Sequence, residues 1–258
     1  MEDDKLTFGE HLEVLRKMLF RILGATLCVA IAIFCFKEHT FRLLLAPSQY
    51  DFVMFQWVEK LCALIGWNFC FDEYHVSLIA TELSSQFMTH MFTSIYLALL
   101  LVSPYIVVEL FRFISPALYE DERKHSTTVC IAVYVLFIIG VLVSYFIIFP
   151  ISFRFLGTYQ VADAVVNHIT LKSYISTFTT LTFVMGVVFQ LPVLAFFLAK
   201  LDFIDAEMMS RYRRHAFLLI LIVSAIITPP DVFTQMLVTI PLYMLYEISI
   251  WIVKRVRI

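Results

Sequence analysis

The stretch STTVCIAVYVLFIIGVLVSYFIIF, residues 126–149, carries no formal charge over 24 positions. A helix of that length rises about 36 Å, which exceeds the roughly 30 Å thickness of a bilayer's hydrocarbon core. The whole chain has the same character: 61% of its 258 residues are apolar, 16% are charged, and the mean hydropathy is +0.86. A soluble fold cannot bury this much apolar surface. The sequence therefore predicts an all-α polytopic membrane protein.

Apolar runs before and after this stretch predict a single membrane domain with six transmembrane helices. The runs lie at about 18–36, 85–110, 126–149, 173–199, 214–228 and 232–253. Arg21 interrupts the first run and is placed to extend its charged end to the membrane edge. The last two runs are short, and the breaker PPD at 229–231 separates them. They predict a shallow final hairpin, and the alternative is a re-entrant hairpin that does not cross the membrane.

The distribution of basic residues predicts the orientation. Fourteen of the nineteen Lys and Arg residues fall in the N-terminal segment and alternate loops, and five fall on the other side. Because cytoplasmic loops are enriched in Lys and Arg, both termini are predicted in the cytoplasm. A non-crossing hairpin leaves the C-terminus on the same side, so this bias does not separate the two alternatives. The acidic, mixed opening MEDDKLTFGEHLEVLRK does not resemble a cleavable signal peptide, so the first run is read as a retained span.

Several function classes find no support in the sequence. A net charge of −2 gives no sign of a nucleic-acid partner. The chain has no phosphate-binding loop, hydrolase nucleophile motif or metal-ligand spacing, so neither an enzyme nor a cofactor nor a metal site is predicted. Cys62 and Cys70 lie in the long predicted outer loop 37–82, where an oxidising compartment permits a disulfide. A bridge and two free thiols both stay open for this pair.

The stretch FRFISPALYEDERKH, residues 111–125, places six charged side chains and a histidine in the first predicted cytoplasmic loop. Glu109 precedes it and Glu122 lies within it. A carboxylate beside an aromatic ring and a proline-fixed turn suits a guanidinium, which can donate two parallel hydrogen bonds and stack on the ring. The alternative is a solvated loop whose acids neutralise Arg123 and Lys124.

The fourth apolar run contains Gln190, two residues before Pro192. Proline removes a backbone donor and kinks a helix. The amide of Gln190 either satisfies the carbonyl that is freed or forms a polar notch at membrane depth.

The last predicted helix has polar residues at both ends. Asp231 is placed to cap its start, and Gln235 follows one turn later. Glu247 lies near its inner end and either pairs with Lys254 or Arg255 or faces the bundle.

The segment GEHLEVLRKMLFRI, residues 9–22, predicts an amphipathic helix that leads into the first span. Its apolar residues recur at a spacing of three to four, with acidic and basic residues on the other side. The apolar positions are Leu12, Leu15, Leu19 and Ile22, and the polar positions are Glu10, His11, Glu13 and Arg16.

Five of these motifs, in order along the chain, resemble the TatC family, the polytopic core subunits of the twin-arginine protein translocase. They are HLEVLRK (11–17), FISPALYEDERK (113–124), FQLPV (189–193), TPPDVFTQ (228–235) and IPLYMLYEI (240–248). The six-span topology with both ends in the cytoplasm is also that of the family.

The resemblance implies a receptor for twin-arginine signal peptides in the bacterial cytoplasmic membrane. Such a receptor moves folded proteins across the membrane with the proton-motive force. Its implied partners are single-span subunits of the TatA and TatB type, membrane lipid and further copies of itself.

The resemblance also implies which residues act. In the family one acid that reads the arginine pair lies in the loop, at Glu122 here. A second acid lies in the N-terminal motif, where this chain has Val14 and carries Glu13 one position earlier. The implied signal-peptide residues are Glu10, Glu13, Arg16, Phe113, Pro116, Glu122 and Arg123. The implied partner-helix groove contains Gln190, Pro192, Asp231, Gln235 and Glu247, and Pro47 and Pro104 are implied structural residues of the outer face.

The alternative function is a secondary transporter of a small solute. Glu109, Gln190 and Glu247 would then line a site at the middle of the membrane. Transporters of that kind contain internal repeats, and this sequence shows no convincing one.

Overall fold

The structure is a computed structural model, and it describes residues 8–64, 74, 76–114, 126–162 and 167–256. The α-helices are, in chain order, α1 Phe8–Cys35, α2 Lys37–Leu45, α3 Val53–Leu64, α4 Ser85–Ile114, α5 Ser126–Val143, α6 Phe149–Thr158, α7 Leu171–Val188, α8 Leu191–Lys200, α9 Ala206–Arg211, α10 Arg213–Ile227 and α11 Val232–Val256. A 3₁₀ turn at Ala46–Ser48 follows α2, and a π-helical turn at Ser144–Ile148 joins α5 to α6. Two short strands, β1 Leu78–Ile79 and β2 Ile169–Thr170, pair in parallel.

In the described part of the chain, five helical stretches are long and apolar enough to cross a membrane. They are Leu12–Cys35, Ser85–Leu110, Val129–Thr158, Leu171–Lys200 and Val232–Arg255. The predicted all-α polytopic membrane fold is confirmed. The predicted run 214–228 corresponds to α10, whose 15 residues rise about 22 Å, less than the thickness of the hydrocarbon core. The six-span count and the single membrane domain stay predictions.

The chain folds as two compact units. The first contains Met1–Lys37 and His90–Val135, and the second contains Glu38–Thr89 and Leu136–Ile258. In the first unit, the Phe34 ring of α1 stacks on the His90 ring of α4 with centroids 4.1 Å apart. In the second unit, Tyr174 and Phe178 of α7 pack edge-on against Phe149 of α6, and all three are buried.

Glycines let α5 and α7 approach closely in the second unit. A Cβ built on Gly140 would lie 2.6 Å from the carbonyl oxygen of Met185, and one on Gly186 would lie 2.7 Å from the Phe137 ring. Small residues are the usual means by which membrane helices bring their backbones together. These two glycines therefore fix the distance between the helices.

Side-chain hydroxyls donate to the last three carbonyls of α2, the first of which loses its backbone donor to Pro47. A regular helix would pair the carbonyl of residue 43 with the N–H of residue 47, which proline lacks. Tyr145 donates to the carbonyl of residue 43 (2.8 Å), Tyr174 to that of residue 44 (2.8 Å), and Ser48 to that of residue 45 (2.7 Å). Two tyrosines from distant parts of the sequence thus hydrogen-bond the carbonyls at the end of α2. The buried Pro47 lies directly after this bonded helix end.

Pro104 lies inside α4, and a side-chain hydroxyl replaces its missing backbone donor as well. Its missing N–H would have bonded the Leu100 carbonyl. The hydroxyl of the preceding Ser103 donates to that carbonyl instead, at 2.7 Å. The Ser103–Pro104 pair therefore keeps a continuous helix at a position where proline removes one bond.

Candidate functional site

The loop motif that the sequence singles out lies mostly outside the described residues. Pro116, Glu122 and Arg123 belong to the segment 115–125, which the structure does not describe. Phe113 is half-buried in the last turn of α4. The roles predicted for these residues stay predictions.

The first turns of α1 present charge to solvent. Glu13 and Lys17 form an ion pair at 2.9 Å, with 53% and 61% of their side chains exposed. Arg16 is exposed, and Val14 is 38% exposed although it is apolar. An exposed ion pair of this kind contributes little to stability, so a competing cation can displace Lys17. The side chain of Glu10 lies outside the described part of the helix.

A buried carboxylate lies one turn before the loop motif. Glu109 is only 3% exposed, and it accepts hydrogen bonds from Arg112 at 2.9 Å and from Arg21 of α1 at 3.3–3.4 Å. The sequence predicts Arg21 at the membrane edge without naming a partner, so this pairing was missed. A signal for it exists, because an arginine near the start of one span and an acid near the end of the next meet when the helices are antiparallel.

Gln190 lies in the two-residue junction between α7 and α8. Its backbone N–H donates to the Val187 carbonyl at 3.0 Å, in a 3₁₀ pattern. The Gly186 carbonyl, which a regular helix would pair with that N–H, lies 3.3 Å from the Gln190 side-chain amide. The amide therefore serves the carbonyl that the kink releases, four residues before itself, while Pro192 is buried in the first turn of α8. The groove role predicted for both residues stays a prediction.

Asp231 begins α11 as its N-terminal cap. Its Oδ1 accepts from the backbone N–H of Thr234 at 2.6 Å. One turn later, the Gln235 amide donates to the Leu221 carbonyl of α10 at 3.1 Å. Both residues are thereby engaged in closing the hairpin between α10 and α11.

A buried polar seam that was not predicted from the sequence joins the same two helices. The hydroxyls of Ser224 and Thr239 are 2.9 Å apart, and both residues are buried. The Thr228 hydroxyl donates a hydrogen bond to the Ser224 carbonyl at 2.9 Å. Ser224 and Thr228, four residues apart on α10, and Thr239 on the facing arm of a short apolar hairpin were the available signal.

Glu247 pairs with a different partner from the one predicted. Arg213, at the start of α10, contacts its two carboxylate oxygens at 2.9 and 3.0 Å, and the Tyr243 hydroxyl donates to it at 3.1 Å. Of the two alternatives that the sequence left open, a pair with Lys254 or Arg255 and a carboxylate facing the bundle, neither names Arg213. Lys254 is seven residues further along the same helix, about 10 Å away in rise, whereas α10 runs alongside.

The residues of the implied groove fall at separate places in the second unit. Gln190 and Pro192 lie at the junction of α7 and α8, and Asp231 and Gln235 lie at the start of α11. Glu247 is 12 residues after Gln235 on one helix, a rise of about 18 Å.

A cavity of about 600 Å³ lies in the second unit, and its lining includes Ser48, Asp51, Tyr74 and Ser77. Tyr74 is 8% exposed, and the Arg154 guanidinium lies 5.0 Å from its ring centroid. Burial raises the pKa of the Tyr74 phenol to about 12, although the Arg154 charge acts in the opposite direction. The neutral phenol is therefore the form present at physiological pH.

Within the described ranges, no three His, Cys, Asp or Glu side chains are grouped as a metal site. Cys28, Cys35 and Cys130 are free thiols. The possible bridge between Cys62 and Cys70 falls on a cysteine side chain and a loop that lie outside the described structure.

Comparison with known proteins covers nearly the whole chain. A family profile described as Sec-independent protein translocase protein (TatC) matches residues 10–241. The chain is 34% identical over 255 residues to the Sec-independent protein translocase protein TatC of Blattabacterium sp. subsp. Periplaneta americana, covering 97% of this chain and 96% of that one. It is 32% identical over 258 residues to the protein of the same name from Carboxydothermus hydrogenoformans, covering 100% and 96%.

Solved structures agree with the sequence comparisons. A crystal structure described as Twin Arginine Translocase Receptor- TatC superposes with a TM-score of 0.74 at 28% identity, covering 96% of this chain and 100% of that chain. A second crystal structure of the receptor, in DDM, gives the same TM-score and identity over 95% of this chain. These are translocase components and not enzymes. The chain belongs to the TatC family of Sec-independent protein translocase proteins.

Proposed function

We propose that this protein is a receptor for twin-arginine signal peptides and the core of a translocase for folded proteins. It acts in the bacterial cytoplasmic membrane, with both termini in the cytoplasm and the proton-motive force as the energy source. The observation that supports this proposal best is the end-to-end similarity to crystal structures described as twin-arginine translocase receptors.

The exposed start of α1 supports an arginine-binding role. Glu13 can exchange its exposed Lys17 partner for a peptide arginine, because a guanidinium donates two parallel hydrogen bonds to a carboxylate and an ammonium is a point charge. In the loop, Glu122 accepts the second arginine, and Phe113 and Pro116 shape the surface around it. Glu10, Arg16 and Arg123 complete the binding surface.

The second unit is the proposed docking region for single-span partner subunits of the TatA and TatB type. Gln190 is uncharged, so it cannot carry an obligatory proton or ion pair. The polar side chains at the start of α11 and the pair formed by Glu247 and Arg213 offer further contacts for partner helices. Within the complex, the protein assembles with further copies of itself.

The short α10 supports the translocation step. In a six-span topology α10 is one of the spans. Its rise of roughly 22 Å is less than the thickness of the hydrocarbon core. A span that is too short thins the bilayer around it. The thinner membrane lowers the cost of passing polar cargo beside this protein.

The test is crosslinking of purified, lipid-reconstituted protein to a signal peptide that carries a photoreactive group beside its Arg-Arg pair. The Lys-Lys version of the peptide is the competitor. We expect at least tenfold more crosslink with Arg-Arg, since each lost charged hydrogen bond costs about 1.5–3 kcal/mol. Equal crosslinking of the two peptides would refute the proposal.

Single variants then assign the acids. Glu122→Gln removes most of the crosslink, and Glu13→Gln removes part of it. Glu207→Gln is the matched control, because Glu207 is an exposed acid of α9 outside both motifs. A loss in the Glu207 variant as large as in the Glu122 variant would show a general charge effect and not a site.

A further inference from the structure

The feature that carries a further inference is the ion cluster of Glu109, Arg21 and Arg112 in the first unit. Glu109 is 3% exposed, whereas the side chains of Arg21 and Arg112 are 49% and 65% exposed. A buried carboxylate costs several kcal/mol unless it is paired and hydrogen-bonded. Its charge therefore holds both arginines near the end of α4.

The two arginines differ in what they connect. Arg112 is three residues after Glu109 on the same helix, so their contact at 2.9 Å adds nothing to the packing of different helices. Arg21 comes from α1 and reaches Glu109 at 3.3 Å. The Arg21–Glu109 pair is therefore a tie between α1 and α4.

The tie lies between the two stretches that carry the proposed recognition acids. On α1, Arg21 is eight residues after Glu13, a rise of about 12 Å. On α4, Glu109 is one turn before Phe113, and the loop motif follows directly. We infer that Glu109, held by Arg21, is a positioning residue that sets the distance between the start of α1, with Glu13, and the last turn of α4, with Phe113, an inference that rests on the proposed function.

The aromatic contact between these two helices is far from the recognition end. Phe34 and His90 stack at 4.1 Å, and they lie 13 and 19 residues from Arg21 and Glu109 along their helices. That contact persists when the ion pair is removed, and the helices separate only at the recognition end. Loss of the tie thus changes how far the start of α1 lies from the last turn of α4 and leaves each recognition acid chemically intact.

Glu109 itself is not a direct acceptor for the peptide. Both of its carboxylate oxygens already lie within 3.3 Å of resident guanidinium groups, and its side chain is almost fully buried. A peptide arginine would have to displace a resident one without solvent access. If Glu109 acts by positioning, it needs Arg21, whereas a direct acceptor of the peptide would not. Variants of Arg21 therefore distinguish the two roles.

The experiment measures binding of a fluorescent Arg-Arg signal peptide to full-length, lipid-reconstituted protein, with the Lys-Lys peptide in parallel. Arg21→Gln and Glu109→Gln each weaken Arg-Arg binding about tenfold and leave Lys-Lys binding unchanged. The reversed pair, Arg21→Glu with Glu109→Arg, is made together with Arg112→Gln, which removes the like charge beside position 109, and it restores binding to within about threefold. Arg112→Gln, which removes the partner on the same helix, weakens binding less than threefold.

Each other outcome has a definite meaning. Loss in Glu109→Gln, no loss in Arg21→Gln and no rescue by the reversed pair would make Glu109 a direct acceptor and overturn the inference. Unchanged affinity per folded protein, with only a lower melting temperature or yield, would show a purely structural role and overturn it as well. Wild-type protein that does not prefer Arg-Arg over Lys-Lys would overturn the proposed function and the inference together, whereas a normal wild-type preference with unaffected variants would overturn the inference alone.

Discussion

At the scale of single residues, the start of α1 is where this chain departs from its family. Val14 occupies the position at which the family motif has an acid, and it is 38% exposed. Glu13, the residue before it, points about 100° away around the helix and is paired with Lys17. A peptide arginine that approaches from the side of Val14 meets an apolar surface, so we expect the loop to carry more of the recognition in this chain than in its relatives.

Val14→Glu should strengthen binding of the Arg-Arg signal peptide by about tenfold, because it adds a carboxylate on the face where the family carries one. A charged hydrogen bond contributes about 1.5–3 kcal/mol, and exposure reduces that gain. Fluorescence anisotropy with Arg-Arg and Lys-Lys peptides measures the effect. Val14→Gln is the neutral control, and an equal gain in that variant would point to lost apolar surface as the cause.

At the scale of helices, the pair α5 and α7 is held at a distance that only glycine permits. The oxygen of Met185 and the ring of Phe189 lie 2.6 and 2.9 Å from a Cβ built on Gly140. A backbone oxygen cannot rotate away as a side chain can. The contact therefore depends on the absence of a single methyl group.

Gly140→Ala should lower the free energy of unfolding by about 1–3 kcal/mol, the usual cost of overpacking. Gly24→Ala is the matched control within a helix, because a Cβ there meets no atom within 4 Å. That variant should be neutral or up to about 1 kcal/mol more stable, since alanine favours helix. Unfolding titrations in detergent measure both, and equal stability of the two variants would contradict the close contact.

The sequence predicted the helices well and their partners poorly. Long uncharged runs indicate spans because each run must cross the hydrocarbon core by itself. The pairs formed by Arg21 with Glu109 and by Arg213 with Glu247 depend on which neighbouring helix lies alongside and at what depth. Spacing along one chain does not contain that information, so neither sequence alternative for Glu247 included Arg213. Asp231 was predictable because a cap acts within its own helix.

At the scale of the whole molecule, the final hairpin decides how many times the chain crosses the membrane. With both termini in the cytoplasm, a crossing hairpin gives six spans and a re-entrant one gives four. The turn at Pro229–Pro230 lies on the far side of the membrane in the first case only. Its exposure to the outside is therefore the deciding observation.

Pro230→Cys, in a chain whose five native cysteines are replaced, should react with a membrane-impermeant maleimide in intact spheroplasts. Pro230 is exposed, so reagent access is not limited by the fold. Gln49→Cys, in the predicted outer loop, is the positive control, and Glu207→Cys should react only after permeabilisation. Labelling of the Pro230 variant only after permeabilisation would establish the re-entrant hairpin.

A hydroxyl group that replaces proline's missing donor also constrains the order in which substitutions can accumulate during evolution. Ser103 serves the Leu100 carbonyl because Pro104 cannot. If Pro104 is lost first, the backbone donor returns and Ser103 becomes dispensable. If Ser103 is lost first, a carbonyl inside a membrane helix is left without its donor, at a cost of several kcal/mol. Ser103 and Pro104 can therefore be replaced without this cost only in the order that removes Pro104 first.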